Sequence, residues 1–219
     1  VADSLAVIEK FVVEEKKLTW EELQTILKNN WEGAEHIRLM FKSIPKYGSG
    51  NSRADYYAKL IADMYTDLMI GTPTKAGFRV LPGIFSHGDV FIHGKNLPAT
   101  PNGRYAGDPI SHSADPDPGF LPGGGTAPTA KANAVAGVQS GYGNSTPLQI
   151  DMDSKLAKEM GGKDIIKAFI KAHNEMGGTL ININVVSKEK ILEAHENPDK
   201  YPDLVVRVTG YSAFFKSLS

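Results

Sequence analysis

The sequence predicts an α/β fold, and three observations carry the prediction. From residue 163 onward, amphipathic helical patterns alternate with short apolar runs of strand length, the order of βα units in a barrel or parallel sheet. Residues 1–70 carry apolar side chains at helical spacing almost throughout. Between these parts lies a stretch rich in glycine, proline, aspartate and histidine, too long for a simple connector. The chain therefore divides into a helical part over 1–70, a loop-rich segment with short strands over 71–147, and βα units over 148–219.

Ser4 to about Lys17 reads as a helix with Leu5, Ile8 and Val12 on one face. Thr19-Trp20-Glu21-Glu22 has the spacing of a capping box and starts a second helix reaching about Trp31. Gly33 to Lys42 is a short third helix, broken at Ile44-Pro45-Lys46-Tyr47-Gly48. Arg53 to Ile70 is a long helix whose stripe of Ala54, Tyr57, Leu60, Ile61, Met64 and Leu68 reads as core packing. In the loop-rich segment, Arg79–Ile84 and Val90–Ile92 are short apolar runs of strand type, and Pro101-Asn102-Gly103 is a tight turn. Thr126 to Gln139 is a helix of small residues able to pack closely.

Leu148 to Asp153 alternates as a strand. Lys163 to Met176 is an amphipathic helix stopped by Gly177-Gly178. A strand over 179–186, a helix over 188–195 and a last strand over 204–209 complete the order. In the strand Leu180-Ile181-Asn182-Ile183-Asn184-Val185-Val186, period two places Asn182 and Asn184 on one face. Polar side chains on a buried strand must find hydrogen bonds. These two either clamp a neighbouring loop or line a cavity, and the readings are compatible.

Composition excludes several functions. The 219 residues are 41% hydrophobic and 22% charged, ordinary for a folded protein. A net charge of −1 makes no electrostatic case for nucleic acid or a membrane surface. No apolar run approaches a membrane span, and Val1-Ala2-Asp3 opens directly into a helical pattern rather than a signal peptide. A soluble, cytoplasmic protein is expected. The absence of cysteine rules out disulfides, thiolate metal sites and cysteine nucleophiles within this sequence.

Other chemical signals are weak. Gly88 to Lys95 has five residues between its glycines and Asn96 where a phosphate loop needs Ser or Thr. Gly123-Gly124-Gly125-Thr126 could present amides to an anion but reads more simply as a flexible start to the following helix. His87 and His93 share parity on an expected strand, with His112, Asp115 and Asp117 downstream, yet the set is too loose for a metal site. No metal or bound cofactor is expected, and no Ser-His-Asp assembly can be argued from spacing.

The most informative stretch is Arg207-Val208-Thr209-Gly210-Tyr211, preceded by Asp203-Leu204-Val205-Val206. By itself Gly210 is a turn glycine ending a strand. The whole frame, however, resembles the radical-bearing motif of the glycyl radical enzymes, the pyruvate formate-lyase-like family. Thr100-Pro101-Asn102-Gly103-Arg104 with Ala106-Gly107-Asp108-Pro109, and Ile181 to Val186, resemble further motifs of that family, as does Pro45-Lys46-Tyr47-Gly48. Asn182 stands where glutamine is usual, and Thr209 where serine, alanine or cysteine is usual. Ser111-His112-Ser113-Ala114-Asp115-Pro116 departs from the family pattern and suggests a divergent branch.

The resemblance implies the C-terminal portion of a ten-stranded β/α barrel of the glycyl radical enzyme type, with Gly210 on a loop entering the barrel centre. It implies that Gly210 carries a backbone radical, with Arg207, Tyr211, Asn182 and Asn184 supporting its loop. Glycine suits that role because a Cα flanked by carbonyl and amide must become planar to delocalise the unpaired electron, and a Cβ would crowd it. A separate S-adenosylmethionine-dependent iron–sulfur activase would install the radical. The family passes the radical to a cysteine, which this sequence lacks, so the chain is expected to act with a cysteine-bearing remainder of the enzyme in anaerobic catalysis. The complete enzyme is expected to be a homo-oligomer. Its reaction could be that of a formate acetyltransferase-like C–C lyase, a C–O lyase, a dehydratase or a decarboxylase. Two alternatives stand beside this one: a non-catalytic spare-part subunit that supplies only the glycine, and a purely structural domain. Both ends look cut, with nine residues after Gly210.

Overall fold

The computed structural model describes residues 1–85, 88–112, 114–117, 128–139, 146–208 and 211–218. Its N-terminal half is helical. Helix α1 (Ala2–Ile8), which buries Ala6 and Val7, runs on into a π-helical segment, Glu9–Glu14, which buries Phe11 and Val12. Helix α2 (Trp20–Lys28) begins at the expected capping box: the Thr19 hydroxyl accepts from the Glu22 amide at 3.1 Å, and the Glu22 carboxylate accepts from the Thr19 amide at 2.8 Å. Helix α3 (Glu35–Lys42) follows, and α4 (Arg53–Gly71) starts at a second box in which Ser52 and Asp55 exchange the same bonds.

These helices close on an aromatic centre. The rings of Phe11 and Phe41 stack with centroids 5.2 Å apart, and Trp31 meets Phe41 edge-on at 5.8 Å. Trp31 also donates its indole N–H to the Arg104 carbonyl at 3.1 Å, tying the loop-rich segment to the helices. One apolar cluster continues from here through Ala54, Ala99 and Ala114 to Val135, Val138, Leu148 and Ile150.

The apolar stripe of α4 keeps its expected role in part, with Tyr57 packed against the core and Ile61 partly buried. Ala54 is buried, but Leu60, Met64 and Leu68 are 46%, 63% and 67% exposed. Helical spacing identifies the apolar face and says nothing of what covers it; among the described residues these three side chains stay largely uncovered, while Thr66 on the same helix is buried. The loop-rich segment is also corrected in one place. Val90–Lys95 forms a short helix, α5, so His93 lies on a helix and not a strand, while His87 lies outside the described residues. Residues 79–84 form no strand. The turn at Pro101-Asn102-Gly103 is as expected: Gly103 has φ +91°, its amide bonds the Thr100 carbonyl at 3.0 Å, and Thr100 bridges Arg104.

Helix α6 (Pro128–Gly137) leads to β1 (Pro147–Asp153), and β1 pairs in parallel with β2 (Leu180–Val186) across α7 (Gly162–Glu175). This is the expected βα unit. The register sets Leu148, Ile150 and Met152 beside Ile181, Ile183 and Val185 on an apolar face. It sets Gln149 and Asp151 beside Asn182 and Asn184 on a polar one. After α8 (Lys188–Glu196), the order changes. The expected single last strand is a hairpin, β3 (Val205–Arg207) antiparallel to β4 (Ser212–Phe214), and the described strands form two two-stranded sheets. The run after Gly210 is too short to show strand alternation by itself, and pairing with β3 is what extends it.

Candidate functional site

The hairpin is built around the residues singled out in the sequence. Val206 and Leu204 are buried and anchor β3, and the Phe215 amide bonds the Leu204 carbonyl at 2.7 Å. The ladder pairs Arg207 with Ser212, and beyond it the Val208 amide donates to the Tyr211 carbonyl at 2.8 Å. Thr209 and Gly210 are the two residues between those closed positions; they lie outside the described residues. Tyr211 is half exposed, and Arg207 reaches the Ser212 hydroxyl at 3.4 Å.

The structure brings Asn184 to this hairpin. Its side-chain oxygen accepts the Arg207 amide at 3.2 Å, and its side-chain nitrogen donates to Asp151 at 3.0 Å. Asn182 shares the face, beside Gln149 in the ladder, and makes no side-chain hydrogen bond among the described residues. Among these strand residues, the chain Asp151–Asn184–Arg207 was only partly visible in the sequence: alternation marked Asn184, whereas Asp151 looked like an ordinary polar residue of an alternating strand.

A second polar group closes the other edge of β1. Asp115 accepts from the Gln149 amide at 3.4 Å, Lys131 donates to the Gln149 carbonyl at 2.6 Å, and the two side chains pair at 3.3 Å. Burial pushes the Asp115 carboxyl up to about 6 against the pull of Lys131. Its neighbour Pro116 packs on Gly48 of the Pro-Lys-Tyr-Gly turn, where φ is +89° and a Cβ would lie 2.3 Å from the proline ring. The Tyr47 hydroxyl is buried there without a partner among the described residues, and burial raises its ionisation well above the ordinary phenol range.

The remaining candidates have structural employment. Asp117 accepts from Ser111 and, at 2.6 Å, from Asn102, so it braces the Asn102-Gly103 turn. Arg104 donates to the carbonyls of Asp108 and Pro98 rather than to a carboxylate. Among the described residues no three His, Asp or Glu side chains gather as metal ligands, and no helix is long and apolar enough to cross a membrane. A cavity of about 440 Å³ lies between α3 and the Asn102-Gly103 turn, lined by Arg38, Lys42, Lys46, Asp3 and Asp117. Burial lowers Lys46 to about 8, while its ammonium bonds the Phe41 carbonyl at 2.6 Å. The Gly123-Gly124-Gly125-Thr126 run lies outside the described residues.

Comparison with known proteins gives these features a context. A family model described as pyruvate formate lyase-like matches residues 1–90, and one described as glycine radical matches residues 123–216. The isethionate sulfite-lyase of Oleidesulfovibrio alaskensis is 34% identical over all of this chain and 26% of its own length. The trans-4-hydroxy-L-proline dehydratase of Clostridioides difficile is 32% identical, over all of this chain and 28% of its own. Among solved structures, the glycerol-bound B12-independent glycerol dehydratase from Clostridium butyricum superposes with a TM-score of 0.88 at 30% identity, over all of this chain and 28% of that one. The chain thus spans a little over a quarter of these proteins, and the mixed helix and strand order is that of a C-terminal fragment of their α/β barrel. With a glycine-radical model lying across the β3–β4 hairpin, and barrel enzymes of one kind matching from the first residue to the last, the chain belongs to the glycyl radical enzyme family.

Proposed function

We propose that this chain supplies the radical glycine, Gly210, to a cysteine-bearing remainder of a glycyl radical enzyme, and that the assembled enzyme eliminates a leaving group from a small hydroxylated substrate. The observation that carries the reading is the glycine-radical match over 123–216, which includes the Arg207-to-Tyr211 frame. The chain has no cysteine to relay a radical to substrate, so turnover belongs to the assembly. An S-adenosylmethionine-dependent iron–sulfur activase removes a hydrogen from the Gly210 Cα, chemistry that belongs to that partner's cofactor. Asn184 holds the hairpin at the Arg207 amide, Arg207 and Tyr211 flank the glycine within it, and Asn182 lies on the same strand face as Asn184.

Among the reaction types open to the family, dehydration or a related C–X elimination is favoured. Relatives named as sulfite-lyases and dehydratases align with essentially all of this chain, whereas a formate acetyltransferase aligns with 80% of it. The spare-part reading, in which the chain restores a damaged enzyme without being a regular subunit, rests on the same glycine and the same lack of cysteine.

The test is anaerobic activation of the assembly followed by electron paramagnetic resonance. Wild type should show a glycyl radical, and air should then cut the backbone at residue 210. Gly210→Ala should give neither, with folding checked by circular dichroism. A signal that persists in the alanine variant, or cleavage elsewhere, refutes the assignment.

A further inference from the structure

We infer that Asp151 is a positioning residue for the Gly210 hairpin, acting through Asn184; the inference rests on Gly210 being the radical site only for its consequence, not for its geometry. Strands β2 and β3 lie against one another, yet among the described residues no ladder joins them. The Asn184 side chain takes the place of a ladder bond, accepting the Arg207 amide at 3.2 Å. Arg207 is three residues before Gly210 and the last ladder residue of β3, so this bond sets where the hairpin leaves the sheet.

The chemistry of the three groups fixes one orientation. A backbone N–H only donates, a carboxylate only accepts, and a primary amide does both from opposite ends. With Asp151 on one side and the Arg207 amide on the other, Asn184 must turn its nitrogen to Asp151 and its oxygen to Arg207. Without Asp151 the amide is free to flip and present N–H to N–H. Asp151 and Asn184 are direct neighbours in the β1–β2 register, which holds the first link in place. The charged acceptor also makes this link stronger than a neutral one.

The test uses Asp151→Leu, Asn184→Leu and the exchanged pair D151N/N184D, with amide hydrogen exchange at Arg207 in the full chain as the readout. Asn184→Leu removes the acceptor of the Arg207 amide, and exchange there should rise about fivefold, the effect of losing one hydrogen bond of ordinary net strength. Asp151→Leu leaves that acceptor but frees the Asn184 amide to turn, and exchange should rise by a smaller factor, about twofold. The exchanged pair keeps a donor on β1 and an acceptor on β2, and exchange should match wild type. The buried Phe41 amide serves as the control for global unfolding and should not change. Unchanged exchange in Asp151→Leu, or exchange in the exchanged pair as fast as in Asn184→Leu, overturns the inference. In the activated assembly the same order should appear in the yield of the glycyl signal. A wild-type assembly with this exchange pattern and no glycyl signal supports the relay and refutes the functional reading instead.

Discussion

Gly178 offers the sharpest test of how the βα unit is packed. It follows the left-handed Gly177, whose φ of +95° ends α7, and its amide bonds the His173 carbonyl at 2.9 Å. The His173 imidazole lies directly over it. That ring is fully buried, its Nδ1–H donates to the Ala132 carbonyl at 3.1 Å, and its Nε2 has no partner among the described residues. A Cβ on Gly178 would sit 2.1 Å from Nε2 and 2.4 Å from two ring carbons, an ångström or more short of the ordinary 3.4 Å contact. Gly178→Ala must therefore push the ring off its place. Overpacking of this kind costs about 1–3 kcal/mol, and losing the bond to Ala132 adds about 1 kcal/mol, so about 2–4 kcal/mol is expected. Urea unfolding followed by circular dichroism measures it. In a His173→Ala background the clash is gone, and the same substitution should cost less than about 1 kcal/mol. An equal cost in both backgrounds would refute the argument, since the penalty would then come from the backbone.

Two further outcomes can be checked. Asp115 has its carboxyl raised from 3.8 to about 6, so protonation favours the folded state; that contribution is full below about pH 4 and is lost as pH rises through about 6. The shift corresponds to at most about 3 kcal/mol. Relative to Asp115→Asn, wild type should lose stability between pH 4 and 7, and parallel urea midpoints for the two proteins across that range would contradict it. The isolated chain, given activase and S-adenosylmethionine without a cysteine-bearing partner, should show no turnover on family substrates. Product formed under those conditions would sink the two-part assembly.

Much of the architecture could be read from local signals. The Thr19–Glu22 box, the Gly103 turn and the β1–α7–β2 unit each depend on residues close together in sequence, where spacing and side-chain chemistry suffice. The frame around Gly210 was legible because several specific residues stand at fixed offsets. What escaped depends on distant partners. Gly178 looks like a simple helix stop until His173 and Ala132 are seen to share its space. Ser212-Ala213-Phe214 becomes a strand only through β3. The exposed half of α4 shows the converse, a face whose apolar spacing announces burial that these residues do not provide.

The Asp115–Lys131 pair has a consequence for assembly. An ordinary outer strand invites extension, because its free amides and carbonyls can zip onto any passing backbone. Here the Gln149 amide and carbonyl are already occupied by a carboxylate and an ammonium. A strand arriving on that side would have to displace the two bonds that this partly buried pair makes to Gln149. Pairing along that flank is therefore hindered at Gln149, midway along β1. The exposed apolar side chains of Leu60, Met64 and Leu68, and not this strand edge, are then where the described residues offer surface for association.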